Sequence, residues 1–450
     1  MKIEKSLILQ KLFEPSDIAI LVYFRIVFGA IMLWEIFRYF ENDWIYDYWI
    51  EPSFHFTYYG FEWVRPWPGD GMYLHFIAMG ILAVCIMIGF KYRVSAALFF
   101  VAFTYMFLLE HARYLNHFYL ISLVSLVMIF IPAHKAFSYD SWRNKKMRAD
   151  FVPAWPLWVL RIQIGVPYFF GGVAKLNEDW FAGSPLNLWL AERADSFPIF
   201  GQFFTQDWFV MVLAYSSLFI DLLAVPFLLW RRSRLVAFGV LVLFHVLNDR
   251  LFSIGIFPWF MIFATLVFFD PHWPRTFYKK FTSSQKPHPT TSQIMTNNQK
   301  LVLSLFLIFI IFQVAMPLRH FAYPGDVSWT EEGHNFSWHM KLRDKDTSRM
   351  VFLATDPHTG STWELDPEDD LTSRQISKMS TRPDMIHQYS HFLAEKLRDE
   401  GYNEIQIRVE LVSSLNGREP QMLIDPSVNL AAEPITILPK SWIVPLEKIT

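Results

Sequence analysis

Five polar residues interrupt or close long apolar stretches of this chain: Asn116, His117, Lys175, His245 and Asn248. One primary amine, two imidazoles and two amides suit proton transfer and hydrogen bonding to a polar ligand. A neutral amine is a base and an ammonium is not; burial in apolar surroundings is the usual route to a reactive lysine. Lys175 closes the run Phe169-Phe170-Gly171-Gly172-Val173-Ala174 and is followed by Leu176-Asn177-Glu178-Asp179-Trp180. His245 and Asn248 stand at i and i+3 and share a helix face. Each residue also has a bland explanation. A lysine at a helix end commonly snorkels to the membrane interface, and a helix-end histidine is commonly a solvated cap. The set has chemical meaning if the chain brings its members to one side of a membrane.

The chain does read as a membrane protein. Of its 450 residues 53% are hydrophobic and 18% aromatic, and mean hydropathy is +0.23. Apolar runs near the length needed to cross about 30 Å of hydrocarbon lie at 18–38, 72–90, 93–110, 117–133, 155–173, 207–230, 234–249, 252–269 and 300–318. The pair within 234–269 reads as two tight spans or one re-entrant hairpin. Lysine and arginine alternate in density from loop to loop. Lys91 and Arg93, then Lys135 to Arg148, then Arg231, Arg232 and Arg234, then Arg275 to Lys286 mark one side, shared with Lys2, Lys5 and Lys11. That pattern predicts a cytoplasmic N-terminus and places everything after residue 318 outside the cytoplasm. The expected setting is a bacterial inner membrane, or an endoplasmic reticulum membrane in a eukaryote. No N-terminal signal peptide is expected. The net charge of −2 gives no case for nucleic acid. A single cysteine, Cys85 within an apolar run, excludes an internal disulfide and dithiol chemistry, and no metal-ligand or phosphate-loop spacing occurs.

The expected fold is therefore mainly α: a polytopic transmembrane helix bundle of about nine spans over residues 1–318, then a small α+β extracytoplasmic domain over 319–450. Within the latter, Val351–Ala354 and Thr362–Leu365 flank a turn, 384–400 forms an amphipathic helix and 404–412 a half-buried strand. Residues 281–299 read as a polar linker. The first outer loop, 39–71, is crowded with Trp, Tyr and Phe; it reads as an interfacial belt or as the wall of a site for a flat apolar ligand. Intramembrane Arg25, Glu35, Arg161 and Asp221 need partners, and the expectation is that Asp221 pairs with Arg25 or Arg161.

Several segments resemble the vitamin K-dependent γ-glutamyl carboxylase family: Asn116-His117-Phe118-Tyr119-Leu120, Val173-Ala174-Lys175-Leu176-Asn177-Glu178-Asp179-Trp180, and Phe244-His245-Val246-Leu247-Asn248-Asp249-Arg250-Leu251-Phe252. Trp329-Thr330, Phe336-Ser337-Trp338 and Trp442-Ile443-Val444-Pro445 extend the resemblance to the outer region, as a compact bacterial-type member. The resemblance implies a carbon–carbon lyase. In it, reduced vitamin K (a hydroquinone) reacts with O2 to end as the 2,3-epoxide while CO2 is added to the γ-carbon of glutamyl residues. It implies Lys175 as the catalytic base and His117 as an aid to carboxylation. The cofactor set it suggests is Asn116, His245, Asn248, Trp180 and Phe252, and the glutamate-binding set is Trp329, His334, Phe336 and Trp338. The implied partners are a glutamate-containing protein or peptide, an isoprenoid quinol drawn from the membrane and the lipid bilayer, with no metal. Animal members carry two adjacent lysines where this chain has Ala174-Lys175, and their glutamate-associated segment differs from Gly333-His334-Asn335. Two other readings use the same scaffold: a quinol epoxidase without carboxylation, and a non-enzymatic transporter or receptor.

Overall fold

The computed structural model describes residues 7–277 and 295–447. Residues 281–294 of the expected linker lie outside them. Among the described residues six helices are long and apolar enough to cross a membrane, and three shorter apolar helices accompany them. In chain order the nine are α1 (Ala19–Glu41), α2 (Gly71–Ile88), α3 (Tyr92–Leu108), α4 (Asn116–Phe130), α5 (Trp155–Ala174), α6 (Asp207–Leu229), α7 (Arg234–Phe252), α8 (Phe257–Thr265) and α9 (Asn297–Leu318). Consecutive helices from α1 to α8 pack on one another, and α8 returns onto α1 and α5, so the bundle closes on itself. The ambiguous stretch 234–269 resolves into one long helix and one short one. Ser253 (φ 50°) and Gly255 (φ 72°) break the chain between them. The second, continued by a 3-10 turn over Leu266–Phe268, is about 18 Å long at 1.5 Å per residue, too short to cross alone.

A close helix approach serves the candidate site. A Cβ on Gly172 would sit 2.7 Å from Leu222 Cδ2 and 2.9 Å from the Leu222 backbone nitrogen; one on Gly171 would sit 3.6 Å from Asp221 Oδ2. The glycine pair therefore lets the C-terminal end of α5 lie against the middle of α6.

The intramembrane arginines do not use Asp221. Arg25 donates to the carbonyls of Ala133 (3.1 Å) and Phe137, and Arg161 donates to those of Val267 (2.9 Å) and Phe269 (3.1 Å). Backbone carbonyls, in the loop after α4 for Arg25 and at the end of the 3-10 turn for Arg161, take these guanidinium donors without a carboxylate, which overturns the expected pairing. Glu35 pairs with Arg38 at 2.6 Å.

Beyond the bundle, β1 (Lys345–Thr355), β2 (Thr362–Leu365), β3 (Gln406–Leu415) and β4 (Gln421–Met422) form an antiparallel sheet in the order β2-β1-β3-β4, with Phe352 opposite Val409. Ile407, Val409, Leu411 and Leu415 alternate inward on β3. They share a core with Met385, Ile386, Tyr389, Leu393 and Leu397 on the amphipathic helix α11 (Pro383–Asp399), which follows α10 (Ser373–Met379). Loop 39–71 divides three ways. Phe56 enters that core, Trp44 and Tyr48 line the cavity described below, and Trp63 and Trp67 remain exposed. Glu110 fastens the junction: it accepts from Gln375 Nε2 (2.9 Å) and Ala112 N (2.8 Å) and lies 3.2 Å from His55 Nδ1.

His111 sits at the same junction. Its backbone N–H donates to Phe56 O (2.7 Å), its Nε2 accepts from Asn335 Nδ2 (2.5 Å), and its ring lies 4.3 Å from Tyr58. Burial pushes the imidazole down to about 4, with Asp384 pulling it up and Arg382 down. The unfolded chain therefore binds an extra proton here between about pH 6.5 and 4, and stability falls as the pH falls through that window. The thermal midpoint of His111→Gln is expected to drop less between pH 7 and pH 4.5 than that of the wild type. Gly172→Ala overpacks the α5–α6 contact and is expected to cost about 1–3 kcal/mol, read as a lowered thermal midpoint.

Candidate active site

A cavity of about 790 Å³ lies between the bundle and the C-terminal region. That is a typical volume for a small-molecule site. Lys175 ends α5 and borders it, with 7% of its surface exposed. Its ammonium forms an ion pair with Asp221 of α6, which is 5% exposed. Nζ also stands 5.4 Å from the centre of the Trp180 ring, within reach of the ring's negative face.

The residues after Lys175 explain how it is held. Asn177 caps the turn Glu178–Phe181 by accepting from Trp180 N at 2.9 Å. Asp179 accepts two bonds from Arg418 (2.5 and 2.8 Å) and one from Asn416 (2.6 Å), both just past β3. Burial raises the Asp179 carboxyl, but those bonds outweigh it and hold the group below its usual range. Trp180 is buried, and its indole donates to Ala214 O at 3.0 Å. Each polar residue of Leu176-Asn177-Glu178-Asp179-Trp180 for which a bond is seen thus fixes the loop that presents the lysine.

Eight of the eleven candidate residues border this one cavity: Lys175, His117, Asn116, His245, Asn248, Trp180, Phe252 and His334. The His117 ring is stacked along Phe257, with centroids 5.8 Å apart. His245 Nε2 is 2.7 Å from the Tyr168 hydroxyl, itself 3.2 Å from Thr265 Oγ1. The two amides are engaged within the protein. Asn116 accepts from the Tyr114 hydroxyl (2.9 Å) and donates to His339 O (3.2 Å), and Asn248 donates to Phe244 O (2.8 Å). The remaining three lie away from the cavity. Trp329 is fully buried and donates to Val444 O at 2.7 Å. Phe336 packs among Tyr58, Phe107, Tyr114 and Tyr119, and Trp338 lies against Tyr119.

Two sets of residues were not among the candidates. Asp221 stood out in the sequence as an intramembrane acid but was given to the wrong partner. The cations Lys341, Arg343, Arg374, Lys378 and Arg382 also border the cavity; their spacing, alternate in 341–343 and every fourth residue in 374–382, was the available signal. Among the described residues no group of three or more His, Cys, Asp or Glu is placed to hold a metal ion.

Residues 13–273 match the HTTM domain, and residues 298–449 match the vitamin K-dependent gamma-carboxylase lumenal domain. No solved structure matches the chain. The apolar helices and the lumenal-domain match make this a multi-pass membrane protein with a lumenal-type region.

Removing either charge of the Lys175–Asp221 pair leaves the other buried alone, which typically costs about 3–5 kcal/mol. Lys175→Met and Asp221→Asn are each expected to lower the thermal midpoint in detergent, and the double variant to lose less than the sum of the two.

Proposed function

The chain belongs to the vitamin K-dependent γ-glutamyl carboxylase family, and on that premise we propose that it couples oxygenation of reduced vitamin K, ending as the 2,3-epoxide, to addition of CO2 to the γ-carbon of glutamyl residues. The observation that carries the reading is the buried Lys175–Asp221 pair in the wall of an aromatic cavity.

The lining suits a flat, mainly apolar ring bearing two hydroxyl oxygens. Trp44, Tyr48, Trp180, Phe252 and Phe257 supply apolar and aromatic surface, and Lys175 and His117 supply polar atoms. Val240, Leu243 and Leu247 of α7 line the cavity and are exposed on the bundle's outer face as well. That supports access for an isoprenoid quinol from the hydrocarbon. Asn116 is held by Tyr114 and His339, and Asn248 by Phe244, which fixes both amides at the cavity wall.

Reduced vitamin K, when bound, supplies with O2 the strong base that removes a glutamyl γ-proton. The chain's own part begins with a weaker acid. A quinol hydroxyl titrates in the range of tyrosine, about 10, and Lys175 Nζ is the acceptor for its proton. Nζ can take that proton only as the free amine, which in a neutral ammonium–carboxylate pair requires the pair's proton to move to the Asp221 carboxylate. Once Nζ takes the quinol proton, the pair carries one net positive charge beside one new negative charge on the quinol. The aromatic walls keep water from the carbanion that CO2 must meet. His117 presents its imidazole to the same space and is the residue to which we assign a part in the carboxylation half. The lysine and arginine alternation supports a cytoplasmic N-terminus, with the cavity and the C-terminal region on the opposite side.

The test is a paired assay of epoxide formation and labelled CO2 incorporation into a glutamyl peptide, with reduced vitamin K and O2. Wild type is expected to give both products, and Lys175→Ala to lose about 10²–10⁴-fold in each, the usual contribution of a general base. Epoxide without CO2 incorporation by the wild type leaves the epoxidase reading and removes the carboxylase one. An unchanged epoxide yield from Lys175→Ala removes the role given to that lysine.

A further inference from the structure

The cavity has a second half that the proton step does not use. Where the C-terminal region closes it, Lys341, Arg343, Arg374, Lys378 and Arg382 face the same space, together with His334 and His339. The two acids lining the cavity are already committed, Glu35 to Arg38 and Asp221 to Lys175. Arg343 pairs with Glu331. Arg374 donates to the Tyr48 hydroxyl, and Lys341 rests 5.3 Å from the Trp189 ring centre. Arg382 differs from these. It is 8% exposed, and its Nε and Nη1 are buried without a hydrogen-bond partner. His339 Nε2 is buried without one as well, whereas His334 Nδ1 stands 3.6 Å from Glu331 Oε2.

The backbone builds this convergence from two periodicities. Arg374 and Lys378 are four apart on α10, and Arg382 follows at the same spacing as the residue that leads into α11, so the three fall on one side. Lys341, in a bend with φ 52°, and Arg343 stand at alternate positions on the segment that enters β1. The next residue in that alternation, Lys345, is turned inward and donates to Trp329 O at 2.5 Å. Burial first, then the like charges of Arg382, Arg343, Arg374 and Lys341, push the Lys378 ammonium down to about 8. Burial first, then Arg382, push Arg343 down to about 9 against the opposing pull of Asp384. Mutually repelling cations and an unpartnered buried guanidinium are costly unless an anion joins them. A guanidinium's forked donors match the two oxygens of a carboxylate.

We infer that this wall is a carboxylate-binding subsite, in which Arg382, with Lys378 and Arg343 beside it, holds the side-chain carboxylate of an acidic peptide. The inference deepens the carboxylase reading and rests on it for the identity of the peptide's acidic residue as glutamate. It places the substrate's charge on the C-terminal side of the cavity and the proton-accepting pair on the bundle side. The extra carboxylate of a carboxylated product would meet the same cations.

The test is equilibrium binding of a fluorescent glutamate-containing peptide to the full chain in detergent, with no quinol present, so its outcome is independent of whether carboxylation occurs. The matching glutamine peptide is expected to bind the wild type at least about ten-fold more weakly, the loss that follows from one charge-assisted bond. Arg382→Gln and Lys378→Gln are each expected to weaken the glutamate peptide by about ten-fold or more and leave the glutamine peptide nearly unchanged, with partial recovery in Arg382→Lys. Equal binding of the two peptides by the wild type overturns the proposal and needs no variant to fold.

Discussion

A buried ammonium needs a counter-charge, and here α6 supplies it at one point, Asp221. The contact forms because Gly171 and Gly172 remove the side chains that would hold α5 away from α6. The loop after Lys175 is then clamped from outside the bundle, by Arg418 and Asn416 on Asp179, and floored by Trp180. Neither the bundle nor the C-terminal region alone would fix the amine. The match to an HTTM domain over residues 13–273 and to a carboxylase lumenal domain over 298–449 covers both partners in that clamp.

The pairing also depends on what the other intramembrane cations do. Arg25 and Arg161 spend their donors on backbone carbonyls, so Asp221 stays with the lysine. A guanidinium can satisfy several carbonyls at once; a single ammonium among apolar residues gains more from a carboxylate. The result is a cavity with two chemical ends. Its bundle side is aromatic and apolar around one ion pair, suited to a quinol ring. Its C-terminal side is cationic and short of anions, suited to an acidic chain. Bringing a membrane-soluble and a water-soluble reactant together in one place requires that polarity split.

Much of the fold could be read from the chain. Nine apolar stretches correspond to six long and three shorter apolar helices, and the alternation in 404–412 and the 3.6-residue period in 384–400 became β3 and α11. Asn116, His117, Lys175, Asn248 and Phe252 met at one cavity because they stand at or near helix ends on the same side, a placement that loop charge and span length predict. The misplaced pieces share a cause. Trp329, Phe336 and Trp338 are aromatic residues in a segment with no period, where a large ring is as well used in packing as in a wall. Asp221 had three cations as possible partners, and choosing among them required the backbone carbonyls that satisfy arginine and the glycine-mediated approach of α5 to α6. The cationic wall combines a helix and the segment that enters β1, about 30 residues apart, and its convergence is a property of the tertiary fold.

The central claim is that Lys175 takes a proton from the quinol before O2 takes part, and it can be observed without turnover. Anaerobic addition of reduced vitamin K to the purified protein, followed by ultraviolet absorption, reads the protonation of the bound ring directly. The account predicts that the wild type develops the absorption of the quinol anion at a pH well below that of the free quinol, and that Lys175→Met binds the quinol without it. The same anion band in Lys175→Met at the same pH and occupancy would contradict it.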